Sequence, residues 1–262
     1  NVDAGALAAW RDVGITRLSL GVQTFESEVL RQLARHHDGE DARRALDLIA
    51  RSWPGSWSAD LLVGWRDQTA EHVRSDTSQL LQFAPPHLSV YGLTIEPGTP
   101  LHALQAKGRR VTADPELALD FDTAWSEQIL RAGLDRYEVS NFAQPGHASR
   151  HNSAYWHNRD YVGLGPGASS SVATLRWSNT PDVSHYLKAT GHRQSPRQRV
   201  ERLTPMARLI ECLAVGLRTK QGVSLDELDR RFSPAWREGA REAFHELQNS
   251  GFLEITEYAL RI

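Results

Sequence analysis

Between Arg150 and Gly167 the sequence packs imidazole, amide, aromatic and glycine chemistry into one stretch, Arg-His-Asn-Ser-Ala-Tyr-Trp-His-Asn-Arg-Asp-Tyr-Val-Gly-Leu-Gly-Pro-Gly. Such a combination suits a planar, metal-bearing ligand. His151 can supply an axial nitrogen to an iron, and Tyr155, Trp156 and Tyr161 offer flat faces with polar edges. Gly163, Gly165 and Gly167 would let the backbone come close to a bulky body. The same residues also read as a glycine-rich turn between two strands, with His151 and Asn152 bonded to backbone and the aromatics buried.

A second set is Gln23, Asp60, Tyr91 and Arg35. Gln23 and Asp60 can hydrogen-bond hydroxyls or an amine, and Arg35 can grip a carboxylate through two parallel bonds. Together they would read a ribose and a carboxylate. The alternatives are local: Gln23 capping the next helix, Asp60 holding a neighbouring backbone N–H, and Arg35 serving as a solvated cation favoured at a helix end.

The elements that must position these residues alternate between two periods. Residues 3–12 read as a helix with Asp3 as its cap and Gly14 as its stop. Residues 16–22 read as a strand in which Leu18 and Leu20 alternate with Ser19 and Gly21. Helices are expected over 26–34 and 40–51, the second carrying Ala42, Ala45, Leu46 and Ile49 on one side. A strand over 58–64, a helix over 69–83 and a strand over 87–93 continue the rhythm. Such alternation implies parallel βαβ units, whose ligands sit at the carboxyl ends of the strands. Residues 97–110 read as a turn and a loop-rich connection. The helix expected over 114–132 presents Leu117, Leu119, Phe121, Ala124, Trp125, Ile129 and Leu130 for core packing.

From residue 201 onward the pattern is three helices and a strand. Ser224 and Glu227 form a capping-box-like start, and with the stretches 247–252 and 253–262 they suggest a small winged-helix-like module. Acidic Asp226, Glu227, Asp229, Glu238, Glu242 and Glu246 lie among its arginines, which favours a structural lid over nucleic-acid binding. The expected fold class is therefore α/β. The domains read as a βα unit over 1–110, a region capping it over 111–200 and the small C-terminal module over 201–262; the family resemblance given below implies that the first is a partial barrel.

Composition narrows the partners. The 262 residues carry 30 Lys and Arg against 32 Asp and Glu, a net charge of −2, so there is no basic field to hold nucleic acid or an anionic membrane. No apolar run reaches the roughly 18 residues that span a bilayer, and no leader-like segment opens the chain, so a soluble, cytoplasmic protein is expected. The one cysteine, Cys212, lies in an apolar run where a buried, inert thiol is expected.

Four segments carry a family resemblance: Arg17-Leu-Ser-Leu-Gly-Val-Gln-Thr-Phe25, Leu33-Ala-Arg-His-His-Asp38, Ser89-Val-Tyr-Gly-Leu-Thr-Ile-Glu-Pro-Gly-Thr-Pro100 and Tyr137-Glu-Val-Ser-Asn-Phe-Ala143. They resemble the oxygen-independent coproporphyrinogen III oxidase-like radical S-adenosylmethionine proteins, in order and along almost the whole chain. The string His151-Asn-Ser-Ala-Tyr-Trp156 is similar to that of the haem-chaperone branch. The resemblance implies a radical S-adenosylmethionine barrel, with Gln23, Arg35 and Asp60 on S-adenosylmethionine. It implies His151, Asn152, Tyr155 and Trp156 on haem, His151 meeting the iron. Haem or porphyrin would be the ligand and haem-receiving proteins the partners. Oxidative decarboxylation of coproporphyrinogen III is the alternative activity.

Three departures accompany it. The family's Cys-x-x-x-Cys-x-x-Cys motif, which holds a four-iron four-sulfur cluster, has no counterpart in a chain with one cysteine. Asn1-Val-Asp3 corresponds to the family's interior, so a fragment lacking the front of the barrel is expected, and the family usually continues by one more helix at the other end. Gly64-Trp-Arg-Asp-Gln-Thr69 replaces a Gly-Leu-Pro-Gly-Gln-Thr type of turn, which alters the expected adenosine site.

Overall fold

Asp3 closes the first helix as its side chain accepts a hydrogen bond from Ala6 N at 2.8 Å, satisfying a donor that the first turn leaves free. The computed structural model describes residues 2–256 and 258–261; Asn1 and Ile262, which belonged to segments singled out above, lie outside them. The chain forms two units, Asn1–Ala148 and Ser149–Ile262.

In the first unit the order is α1 (Ala4–Asp12), β1 (Arg17–Gln23), α2 (Ser27–Gln32), α3 (Gly39–Ser52), β2 (Ser56–Val63), α4 (Ala70–Leu81), β3 (His87–Gly92), α5 (Pro100–Ala106), α6 (Ala118–Arg131), β4 (Asp135–Glu138) and β5 (Asn141–Ala143). The five strands form one sheet in the order β1-β2-β3-β5-β4. β1, β2 and β3 run parallel, as the βαβ rhythm predicts, while β5 joins β3 antiparallel. Alternate residues build the core on one face: Leu20 and Val22 of β1, Ala59 and Leu61 of β2, Leu88 and Val90 of β3. Helices cover that face with Leu46, Ile49, Val73, Leu80, Phe121 and Ile129. The intervening residues, Ser19, Ser58, Asp60, His87, Ser89 and Asn141, turn a polar surface the other way.

Two expectations change here. Residues 100–106 are a helix rather than loop: Thr99 caps it by accepting from His102 N, and Pro100 starts it, where a missing N–H costs nothing. A 3-10 turn over Pro115–Leu117 precedes α6, which buries Phe121, Ala124, Trp125 and Ile129 but leaves Leu119 and Leu130 exposed on its outer side.

The second unit begins with α7 (Arg150–Trp156), followed by β6 (Ser169–Val172), β7 (Leu175–Asn179), α8 (Val183–Gly191) and β8 (Arg197–Arg202), the strands forming an antiparallel sheet. Then come α9 (Pro205–Gly216), β9 (Val223–Ser224), α10 (Leu225–Phe232), α11 (Trp236–Asn249), β10 (Glu254–Ile255) and β11 (Ala259–Arg261). Three helices and a small sheet in the order β10-β11-β9 surround Leu209, Cys212, Leu228, Trp236 and Leu260. Ser224 caps α10 by accepting from Glu227 N, as its position implies. The 247–252 stretch finishes α11 and turns, so the strands are shorter than the sequence suggested. Cys212 is buried, and desolvation raises its thiol above the ordinary value.

Candidate functional site

On the polar face of the first sheet, pairing places Gly21 opposite Asp60, Asp60 opposite Ser89, Ser89 opposite Asn141 and Asn141 opposite Glu138. Side-chain hydrogen bonds run along this face. Ser19 Oγ donates to Asp60 Oδ2 at 3.0 Å, Ser89 Oγ donates to Asn141 Oδ1 at 2.7 Å, and Asn141 Nδ2 donates to Glu138 Oε1. Burial raises the carboxyl of Asp60, an effect opposed by the Ser19 and Ser89 hydroxyls and by Arg17. Burial likewise raises Glu138, against hydrogen bonds from Ser140 N and Asn141.

Gln23 reaches the same row through an irregular strand end. A register shift lies between Gly21 and Gln23, and Gln23 has φ 70, so the chain kinks after Gly21. The Gln23 amide folds back over Gly21, where a β-carbon would stand 2.6 Å from Nε2. Because Gly21 pairs with Asp60, the fold brings Gln23 to the row that holds Asp60. Behind this end, Asp76 of α4 accepts from Phe25 N at 2.9 Å and fixes the loop; burial pushes its carboxyl up to about 6.

Arg35 lies after α2 in a loop that returns to the carboxyl end of β1, where His37 Nε2 stands 3.2 Å from Val22 O. The Arg35 side chain is exposed and has no ion pair among the described residues. Tyr91 sits exposed at the end of β3. In the 64–69 turn, Gln68 accepts from Gly64 N at 2.5 Å while its buried Nε2 has no hydrogen-bond partner among the described residues. His87, in the row below Asp60, is 2.8 Å from Tyr137 through Nε2, and burial holds it down at about 3.

In the second unit the segment 150–167 divides: its first seven residues are a helix, and its glycine-bearing part is loop and turn between the Tyr161–Ser171 bridge and β6. The helix is α7, started by Ser149, whose Oγ accepts from Asn152 N at 3.3 Å. The four-residue spacing stacks His151 against Tyr155, ring centroids 4.8 Å apart and edge-on, and Tyr155 meets Tyr161 at 4.6 Å in the same way. His151 is exposed and makes no hydrogen bond among the described residues. One position on, Trp156 turns instead to a cavity of about 220 Å³ shared with Cys212, Val223 and Arg231. Asn152 is half-buried.

The glycines that follow serve the fold itself. A β-carbon at Gly163 would stand 2.2 Å from Ser169 O, and Gly165 and Gly167 have φ of +105 and +70. Asn179 Nδ2 donates to Gly165 O at 2.9 Å.

The residues missed by sequence reasoning are Ser19, Ser89, Asn141 and Glu138, which join Asp60 only through cross-strand register. Tyr137-Glu-Val-Ser-Asn-Phe-Ala143 held a signal, since polar Glu138 and Asn141 flank a strand pair. An iron–sulfur cluster does not fit these residues alone: it needs several thiolates and the chain has Cys212.

Comparison with known proteins places this geometry in a lineage. The HemN C-terminal domain model matches residues 203–262. "Heme chaperone HemW" of Synechocystis is 36% identical over 229 residues, 86% of this chain and 55% of that protein. The Bacillus subtilis protein of the same name is 28% identical, over 99% of this chain and 69% of its own length. The mouse mitochondrial radical S-adenosyl methionine domain-containing protein 1 is 33% identical over 97% of this chain and 60% of its own. The chain thus spans between about half and two thirds of the relatives it matches. Among solved structures, coproporphyrinogen III oxidase HemN from Escherichia coli, a radical SAM enzyme, superposes with a TM-score of 0.82 at 19% identity, covering 100% of this chain and 64% of its own. That likeness gives the fold, a partial radical S-adenosylmethionine α/β barrel followed by a small C-terminal module. With the sequence relatives, it makes this chain a member of the HemW-type family of HemN-like radical S-adenosylmethionine proteins.

Proposed function

We propose that this protein is a haem chaperone that takes haem at His151 and passes it to haem-requiring proteins. The observation that carries the reading is the exposed imidazole of His151, uncommitted to any hydrogen bond among the described residues and braced edge-on by Tyr155. A neutral imidazole is a ready axial ligand for haem iron, and Tyr155 and Tyr161 offer apolar ring surface beside it. Asn152 and Trp156 complete the family string, Trp156 from the far side of α7. The names of the Synechocystis and Bacillus relatives support the same reading.

The first unit is proposed to hold S-adenosylmethionine through Gln23, Asp60 and Arg35. Asp60 would accept from an amine or hydroxyl, Gln23 would bond alongside it, and Arg35 would reach a carboxylate from the loop anchored at Val22. The cluster that this cofactor meets in the family is not supplied by these residues, and no radical step is assigned to them.

The test is haem titration of the protein followed by mixing with an apo-haemoprotein. One haem per chain, released to the acceptor with recovery of its activity, is expected. Failure to bind haem stoichiometrically, or retention of bound haem in the presence of acceptor, would overturn the reading.

A further inference from the structure

In the first unit, away from the Asp60 row, a cavity of about 400 Å³ lies between α2 and α5. Its walls are mostly apolar, with Gln32, Arg66 and Arg110 as the polar members. Val29 and Leu33 line it from the α2 side at a spacing of four, and Leu101 and Leu104 of α5 face it at a spacing of three. Trp65 closes the floor, itself buried. α5 buries none of its residues, so its leucine pair has apolar surface without a core to fill.

Backbone hydrogen bonds hold the side of the cavity that carries Trp65 and Arg66. Trp65 forms a bridge with Thr112, Arg66 N donates to Val111 O at 3.2 Å and Ala113 N donates to Gly64 O at 2.8 Å. Two arginines, Arg66 and Arg110, also line the cavity, and both pair with the single carboxylate of Asp67. Two cations against one anion leave a net positive charge beside an apolar slot.

We propose that this cavity is a binding site for an amphipathic anion, a molecule with an aromatic or aliphatic body of modest size ending in a carboxylate or sulfonate. The body fills the slot between Val29, Leu33, Leu101 and Leu104, removing their surface from water. The acidic end accepts hydrogen bonds from Arg66 and Arg110, which also donate to Asp67. The site draws on neither His151 nor Asp60, and it stands or falls separately from haem binding.

The probes are 8-anilinonaphthalene-1-sulfonate and the neutral N-phenyl-1-naphthylamine, which share an aromatic body and differ in the sulfonate. Fluorescence titrations use the whole 262-residue protein. Saturable binding of the anionic dye at one per chain is expected. The double variant Arg66→Gln, Arg110→Gln should weaken it by about tenfold or more while leaving the neutral dye within about twofold. Leu104→Glu should weaken both dyes, and circular dichroism with thermal melting verifies that each variant is folded. Absence of anionic dye binding overturns the proposal. So does a folded double variant that binds the anionic dye unchanged or loses both dyes equally, and so does a folded Leu104→Glu variant that retains both.

Discussion

The side chain of Gln23 rests on Gly21, close enough that a β-carbon there would meet its Nε2 at 2.6 Å. Since Gly21 is the strand partner of Asp60, a missing side chain on one residue decides where the amide of another can lie. Gly21→Ala should therefore move Gln23 without harming the fold, because the amide is the far end of a flexible chain and Gly21 does not have a positive φ. Expected are a melting free energy within about 1 kcal/mol of the parent and a shifted Gln23 side-chain amide resonance. An unmoved resonance would contradict the packing.

Acid titration should reveal two opposing buried groups. His87, held down at about 3, favours the folded state fully above its unfolded value and loses that contribution as pH falls from 6.5. Asp76, pushed up to about 6, does the reverse: its contribution is complete below its unfolded value of 3.8 and is lost as pH rises through 6. His87→Gln should remove the first effect alone. The stability gap between parent and variant in urea should narrow by about 2 kcal/mol between about pH 6.5 and 4.5. Asp76→Asn should steepen the parent's loss of stability over the same range. Parallel curves for parent and either variant would refute the assignment.

Ser149 starts the helix that carries His151. Ser149→Ala should cost the second unit about 1 kcal/mol and fray the first turn of α7, seen as faster amide exchange at Asn152. Unchanged exchange would show that the turn is held otherwise.

Iron and sulfide reconstitution of the 262-residue protein should give no stable four-iron cluster, since Cys212 is buried and alone. Close to four irons and four sulfides per chain would contradict this.

Much of the fold was legible from local pattern. The Leu18/Leu20 alternation and the amphipathic 40–51 stretch point to β1 and α3 because each period reflects one buried face. The strand-end rule also picks out Gln23, which ends β1, whereas Asp60 lies inside β2, three residues before its end. What local pattern could not supply was register: Asp60 reaches Glu138 through Ser89 across a parallel pair and then through Asn141 across antiparallel pairs, a relationship with no local period. α7 was missed for a different reason. Seven residues rich in His, Asn, Tyr and Trp have weak intrinsic helix preference, and the cap at Ser149 was the local sign that they form one. α5 had the same kind of sign in Thr99-Pro100.

Haem iron is expected at His151, since several other histidines are already committed. His37 Nε2 lies at Val22 O, His157 Nδ1 lies 2.7 Å from Ser153 O, and His87 is buried. The most direct measurement is the Soret spectrum of the haem-loaded protein and its single variants, with circular dichroism and a denaturant transition on the same samples. His151→Ala should abolish or shift the band, while His36→Ala and His37→Ala leave it in place. A folded His151→Ala protein with an unchanged Soret band would contradict the account.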